Sequence, residues 1–133
     1  MFVSSPGSPL TVFRRAIRSG SSRNALLAAT SLGRLDLGDA LALCLLLRDD
    51  DPGRYGRAAA RWQSRAVAEV GAGLDEAALL GAALASLRSE NHVPTAGAAL
   101  HAWCEAHGLR DAARELEEWS RRRAPRRGPT ERA

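Results

Sequence analysis

Apolar residues recur along most of this chain at intervals of three and four, the period of helices with one buried face, and the pattern is interrupted at recognisable caps. Ser8 followed by Pro9 is an N-cap with proline at the first helical position, where its missing N–H costs nothing, and Gly20 closes the segment. Ser21 or Ser22 opens a second helix that runs to about Gly33. Asp36 caps a third, through Arg48, which is apolar almost all round, and that pattern predicts the central, buried helix. Asp49, Asp50 and Asp51 with Pro52 end it and begin a fourth, because acids favour a helix N-terminus and proline fits its first turn. The fourth extends to about Val70 and is stopped by Gly71 and Gly73; Asp75 and Glu76 open a fifth that ends near Arg88. "SENHVP" reads as a loop, a sixth helix runs from about Pro94 to His107 with Gly108 as its C-cap, and a seventh from Leu109 or Arg110 to about Arg123.

The predicted fold is all-α, six or seven short helices packed as antiparallel hairpins, with a single domain over residues 8–123. Ala and Leu dominate the apolar positions and β-branched and aromatic residues are scarce, so no sheet is expected. The ends, 1–7 and 124–133, lack an apolar pattern and carry prolines, and are expected to be disordered. "LDLGDALALCLLLR" and "LDEAALLGAALASLR" share a Leu-Asp opening and an apolar body, and each precedes a proline and a tryptophan-bearing helix. The spacings of 39 (Leu35 to Leu74) and 41 (Trp62 to Trp103) fit two degenerate helix-hairpin repeats, or a chance likeness of two Ala/Leu-rich helices.

"LDLGDALALCLLLRDDDPGRYGRAAARW" and "LHAWCEAHGLRDAARELEEW", within the region from Leu35 to Trp119, resemble small, uncharacterised, Ala/Leu/Arg-rich helical proteins of actinobacterial type. The resemblance is compositional as much as motif-based and covers about two-thirds of the chain. It implies a bacterial, cytoplasmic origin and carries no assigned activity.

Charge adds an asymmetry that the net +4 conceals. Residues 1–35 carry five arginines and no acid (+5), residues 36–119 eight arginines against fourteen acids (−6), and residues 120–133 six arginines against Glu131 (+5). All nineteen basic residues are arginine; a G+C-rich genome produces that bias as readily as selection for bidentate donors does. The acid-free start, with Leu10, Phe13 and Ile17 on one face, suits a packing helix better than a transit peptide, and Pro6 and Pro9 interrupt any secretory signal. The longest apolar run, Ala40 to Leu47, is well short of the roughly 20 residues of a membrane span, so no span is expected. Cys44 and Cys104 lie in apolar helical patterns and read as a reduced, cytosolic pair.

The most distinctive candidate surface is "RYGRAAARWQSR". Arg54, Arg57, Arg61 and Arg65 fall within an arc of about 80° on a helical wheel, bordering a core stripe of Tyr55, Ala58, Ala59, Trp62, Ala66 and Val70. Like charges at these spacings repel, so the ladder calls for acidic company. Asp50, Asp51 and Glu69 are internal partners within reach; a partner protein's acidic patch or nucleic-acid phosphates are the external ones. "RRRAPRR" adds Arg121, Arg122, Arg123, Arg126 and Arg127, either a loose phosphate contact or cations that complement a helix C-terminus.

His101, Cys104 and His107 fall within about 120° of one another and form a weak zinc candidate, with His92 as the only obvious fourth ligand. Against it, Leu100, Trp103, Cys104 and His107 already make a core stripe, so no metal or other cofactor is expected. Glu115, Glu117 and Glu118 read as surface charges, with Glu117 to Arg121 and Glu118 to Arg122 as i, i+4 pairs. There is no Gly-x-Ser-x-Gly elbow, and the lack of lysine excludes a P-loop. The sequence thus points to a non-enzymatic helical module that binds an acidic protein partner, with a nucleic-acid-associated accessory protein as the alternative. Partner and oligomeric state are not encoded in any motif.

Overall fold

In the computed structural model, which describes residues 8–123, the chain forms seven α-helices. They are α1 (Pro9–Ser19), α2 (Ser22–Leu32), α3 (Leu37–Asp50), α4 (Tyr55–Val70), α5 (Leu74–Ser86), α6 (Val93–Ala106) and α7 (Arg110–Arg123). No strand occurs among the described residues, and no helix there is long and apolar enough to cross a membrane. The segments 1–7 and 124–133, expected to be disordered, lie outside the described residues, and with them Arg126 and Arg127.

Local chemistry sets most boundaries. Ser8, Ser21 and Asp36 cap α1, α2 and α3 by accepting from the N–H groups of Thr11, Asn24 and Asp39. Gly20 ends α1 at φ 81°, a left-handed conformation that a Cβ would strain, and donates its N–H to the freed carbonyls of Ala16 and Ile17. Three boundaries differ from expectation: the fourth helix begins only at Tyr55, after a 3-10 turn over Pro52–Arg54 in which proline's fixed φ is accommodated. α3 continues past Arg48 to Asp50, since Asp49 and Asp50 find donors on other helices and so tolerate a helix C-terminus that disfavours acids. "SENHVP" is only partly loop: Glu90–His92 form a 3-10 turn, and Val93 and Pro94 already belong to α6.

α3 is apolar all round because two cores share it. Leu37, Leu41, Cys44 and Leu45 face a larger cluster built with α4, α5, α6 and α7. Ala42 and Leu46 face a smaller one built with Phe13, Ala16 and Ile17 of α1 and Ala25 and Ala28 of α2. Most of the residues in the stripes expected on α4, α6 and α7 are buried: Tyr55, Ala59, Trp62 and Ala66; Leu100, Trp103 and Cys104; Ala112, Ala113, Leu116 and Trp119. Ala58, Val70 and His107, at the edges of those stripes, are only partly buried.

Polar atoms of the large side chains pin these stripes in register, because burying them unpaired would cost more than the pairing gains. Trp62 donates its indole N–H to the Leu37 carbonyl (2.9 Å), tying α4 to the start of α3. The Tyr55 hydroxyl donates to the Leu84 carbonyl (2.6 Å), tying α4 to α5, and burial holds that phenol well above its usual value. Trp103 donates to Glu76 Oε1 (2.8 Å), tying α6 to α5.

Gly38 lies where α3 meets α7. A Cβ there would sit 2.8 Å from Asp111 Cβ and 3.2 Å from the Asp111 carbonyl carbon, so backbone would have to move. Gly38→Ala is therefore expected to destabilise by about 1–3 kcal/mol despite alanine's better helix propensity. Urea unfolding followed by circular dichroism reads this directly, and an unchanged or raised midpoint would show that the helices separate freely.

The same junction buries charge. Asp39, a buried acid, accepts from Arg14 Nη2 (3.1 Å) and Nε (3.4 Å), joining α1 to α3. Glu115 on α7, expected to be a surface charge, is half-buried; desolvation, then repulsion from Glu118 and Asp39, raises its pKa. Folding therefore favours protonated Glu115. Its ionisation opposes stability at pH above the raised value, and the opposition fades as pH falls through that value into the ordinary carboxylate range. Glu115→Gln should raise the melting temperature at about pH 7 and lose its advantage near about pH 4. An equal gain at both pH values would mean that charge is not the cause.

Candidate functional site

α2 and α4 both pack on α3 but form no substantial interface with each other, and the space between them is an open groove of about 680 Å³. Ala40, Leu43, Cys44 and Leu47 of α3 form its floor, and Leu26, Ala29 and Gly33 form the α2 side. The opposite wall carries Arg54, Arg57, Arg61 and Arg65, with Ala58 between them, and Arg34 reaches the groove from the α2–α3 connection. The arginine ladder is thus the wall of an apolar-floored groove, placed there because Tyr55, Ala59, Trp62 and Ala66 turn the adjacent face of α4 into the core.

The ladder is closed at its ends and open in its middle. Asp51 takes Arg54 (Nε to Oδ2, 2.9 Å). Glu69 takes both Arg65 (2.9 Å) and Arg34 (3.2 Å). Arg57 and Arg61, one turn apart and exposed, have no ion-pair partner among the described residues. Asp50, the third acid expected to serve the ladder, does not: it accepts from the N–H (3.0 Å) and hydroxyl (2.6 Å) of Ser22, and these bonds hold its carboxyl below the usual range. Internal neutralisation therefore accounts for the ends of the ladder and leaves the centre uncompensated, while the surface pairs themselves contribute at most about 1 kcal/mol each.

The C-terminal arginines are placed elsewhere. Arg122 and Arg123 border a separate groove with Ile17, Leu46 and Trp119. Arg123 reaches Asp49 (3.2 Å) and Glu90 and lies 4.5 Å over the Trp119 ring, whereas Arg122 lies 3.8 Å from Glu118 and Arg121 is exposed. The acids of the Asp49–Asp51 run are thus divided among three tasks: Asp49 serves α7, Asp50 caps α2 and Asp51 holds Arg54.

The zinc candidate is not assembled. His101, Cys104 and His107 do not bring their donor atoms within 4.8 Å of one another, because the arc they share on α6 spans three different neighbours. Cys104 is fully buried, with its thiol pushed up to about 12 by desolvation. His107 lies 2.6 Å from Glu76 on α5 and packs on Trp103, and those two partners hold Glu76 below the usual carboxylate value. His101 lies 2.7 Å from Glu117 on α7, so Glu117 does not follow the i, i+4 pairing expected with Arg121. Glu105 joins His101 and Glu117 in the one donor cluster of this kind among the described residues. His92 is exposed in the 3-10 turn before α6. Cys44, under the groove, is also a free, buried thiol pushed up to about 12 by desolvation, so neither cysteine presents a thiolate near neutral pH.

Sequence reasoning located the cationic wall and missed the rest of the groove. Arg34 counts there only toward the basic N-terminal block, and Leu43 and Leu47 only toward a buried helix. The available signal was that α3 is apolar on every face, with Ala40 and Leu43 left partly uncovered. The chain matches no protein-family profile, no curated protein and no solved structure.

Proposed function

We propose that this chain is a non-enzymatic protein-interaction module whose α2–α4 groove takes up an acidic, partly apolar segment of a protein partner. The observation that carries this reading is the pair Arg57 and Arg61, exposed without a carboxylate partner among the described residues, beside a floor in which Ala40 and Leu43 stay partly exposed. Guanidinium groups flanking an apolar floor favour a ligand that offers carboxylates and apolar side chains together, since each term alone is weak in water. A nucleic-acid backbone offers charge without apolar surface, and the second arginine cluster borders a different groove with Arg123 already paired.

The discriminating experiment titrates labelled duplex DNA and single-stranded RNA, and in parallel a labelled Glu/Leu-rich peptide, at low and moderate salt. The peptide is expected to bind and to lose tenfold or more in Arg57→Ala/Arg61→Ala, while nucleic acid stays at non-specific strength, roughly 10 µM or weaker. Tighter nucleic-acid binding that falls steeply with salt, and disappears in the same double variant, would replace the protein-partner reading with the accessory-protein one.

A further inference from the structure

The shape of the groove narrows the partner beyond its charge. We infer that the occupant is an α-helix of about three turns, apolar on the side facing α3 and acidic on one flank only, and this inference rests on the acidic-partner reading above.

Each of the three surrounding helices presents the groove with residues at helical spacing. On α3, Ala40, Leu43, Cys44 and Leu47 fall at i, i+3, i+4 and i+7; on α2, Leu26 and Ala29 fall at i and i+3, and Gly33 closes that helix beside them. Arg57, Ala58, Arg61 and Arg65 continue the same period on α4, with Arg54 in the 3-10 turn just before it. Rows at these intervals are the ridges and grooves into which another helix packs, and small residues such as Ala29, Gly33 and Ala40 permit an axis separation toward the short end of about 8–10 Å. An incoming helix would be the fourth member of a layer that α2, α3 and α4 leave incomplete.

Backbone chemistry favours the same occupant. The backbone groups along these walls are engaged within their own helices, and no strand edge exists among the described residues. An extended segment would lay its N–H and C=O groups on Ala40 and Leu43 without partners, at a desolvation cost of about 1–3 kcal/mol for each group left unpaired. A helix satisfies those groups internally and presents side chains alone.

Length and asymmetry follow from the walls. Eleven residues separate Arg54 from Arg65, or about 16 Å at 1.5 Å per residue, which sets the scale of about three turns. The α2 wall is uncharged along Leu26, Ala29 and Gly33, and Arg34 just beyond it is already taken by Glu69, so acids belong on the α4 flank. Arg57 and Arg61 are four residues apart, matching two carboxylates four apart on the incoming helix.

A random 16-residue peptide library, displayed and selected against the full chain, tests both levels. Enriched sequences are expected to carry apolar residues at i, i+3 or i+4, and i+7, and two acids four apart on one flank. Their affinity should fall tenfold or more for Arg57→Glu/Arg61→Glu and be little changed for Arg15→Glu/Arg23→Glu, the same charge change made on exposed arginines of α1 and α2. A central proline should abolish binding. Circular dichroism of each variant separates a lost site from a lost fold. Acidic sequences that tolerate the proline, or that alternate apolar and polar residues, would overturn the helix while leaving the acidic-partner reading in place. Enrichment without acids, or equal losses in both charge-reversed pairs, would overturn both.

Discussion

Trp62→Ala is expected to destabilise the protein by about 3–5 kcal/mol, the range for deleting a large aromatic from a packed core. Trp62 is buried at the centre of α4, within the larger cluster, and its indole N–H is held by the Leu37 carbonyl at 2.9 Å. Removing it opens a cavity between α3 and α4 and breaks the bond that sets their register. For a domain of this size the loss corresponds to a fall in melting temperature of roughly 12 °C or more. Trp62→Phe keeps most of the apolar volume and gives up the N–H, so a loss of about 1–2 kcal/mol is expected there. Urea unfolding of both variants measures the difference. A Trp62→Ala cost below that of Trp62→Phe would show that the site collapses around the deletion and that packing is not what holds α4 in place.

The second large effect is a coupling. Arg48 is largely buried, with a side chain 9% exposed, and donates to the Leu87 carbonyl (2.8 Å), Asp49 (2.7 Å) and Glu90 (2.9 Å). Desolvation pushes its pKa down, and the two carboxylates more than offset this and leave it raised. Asp49 also accepts from Trp119 Nε1 (2.8 Å), so a single carboxylate links α3 to α7 as well as to the guanidinium. Either acid alone still neutralises Arg48, so Asp49→Asn and Glu90→Gln are each expected to lower stability only slightly. Together they strand a buried cation, and the double variant is expected to cost about 3 kcal/mol or more, beyond the sum of the single changes. A thermodynamic double-mutant cycle reads the coupling. Additive losses would mean that Arg48 does not depend on either carboxylate, and would place Asp49's role with Trp119 alone.

These two sites differ in how far the sequence exposes them. Trp62 is legible: it belongs to a stripe that recurs at the helical period, and a tryptophan on such a stripe is buried. The Arg48–Asp49–Glu90–Arg123 group is not, since its members come from α3, the turn before α6, and the end of α7. Asp49, Asp50 and Asp51 are equivalent as a sequence, three acids at a helix boundary. Their separate fates arise because successive residues there point toward α7, α2 and Arg54. The groove was legible by half, through the arginines alone, because its floor is defined by what fails to cover α3.

Sequence alone determined the all-α class, a count of six or seven helices, the caps at Ser8 and Asp36, and most of the buried stripes, all of which depend on interactions within about one helical turn. Only the tertiary structure decided that α3 serves two cores, that His101, Cys104 and His107 face three different neighbours, and that the arginine ladder walls a groove with its middle uncompensated. Those outcomes depend on which helices meet and at what angle, and local periodicity specifies which face a helix buries without specifying against what.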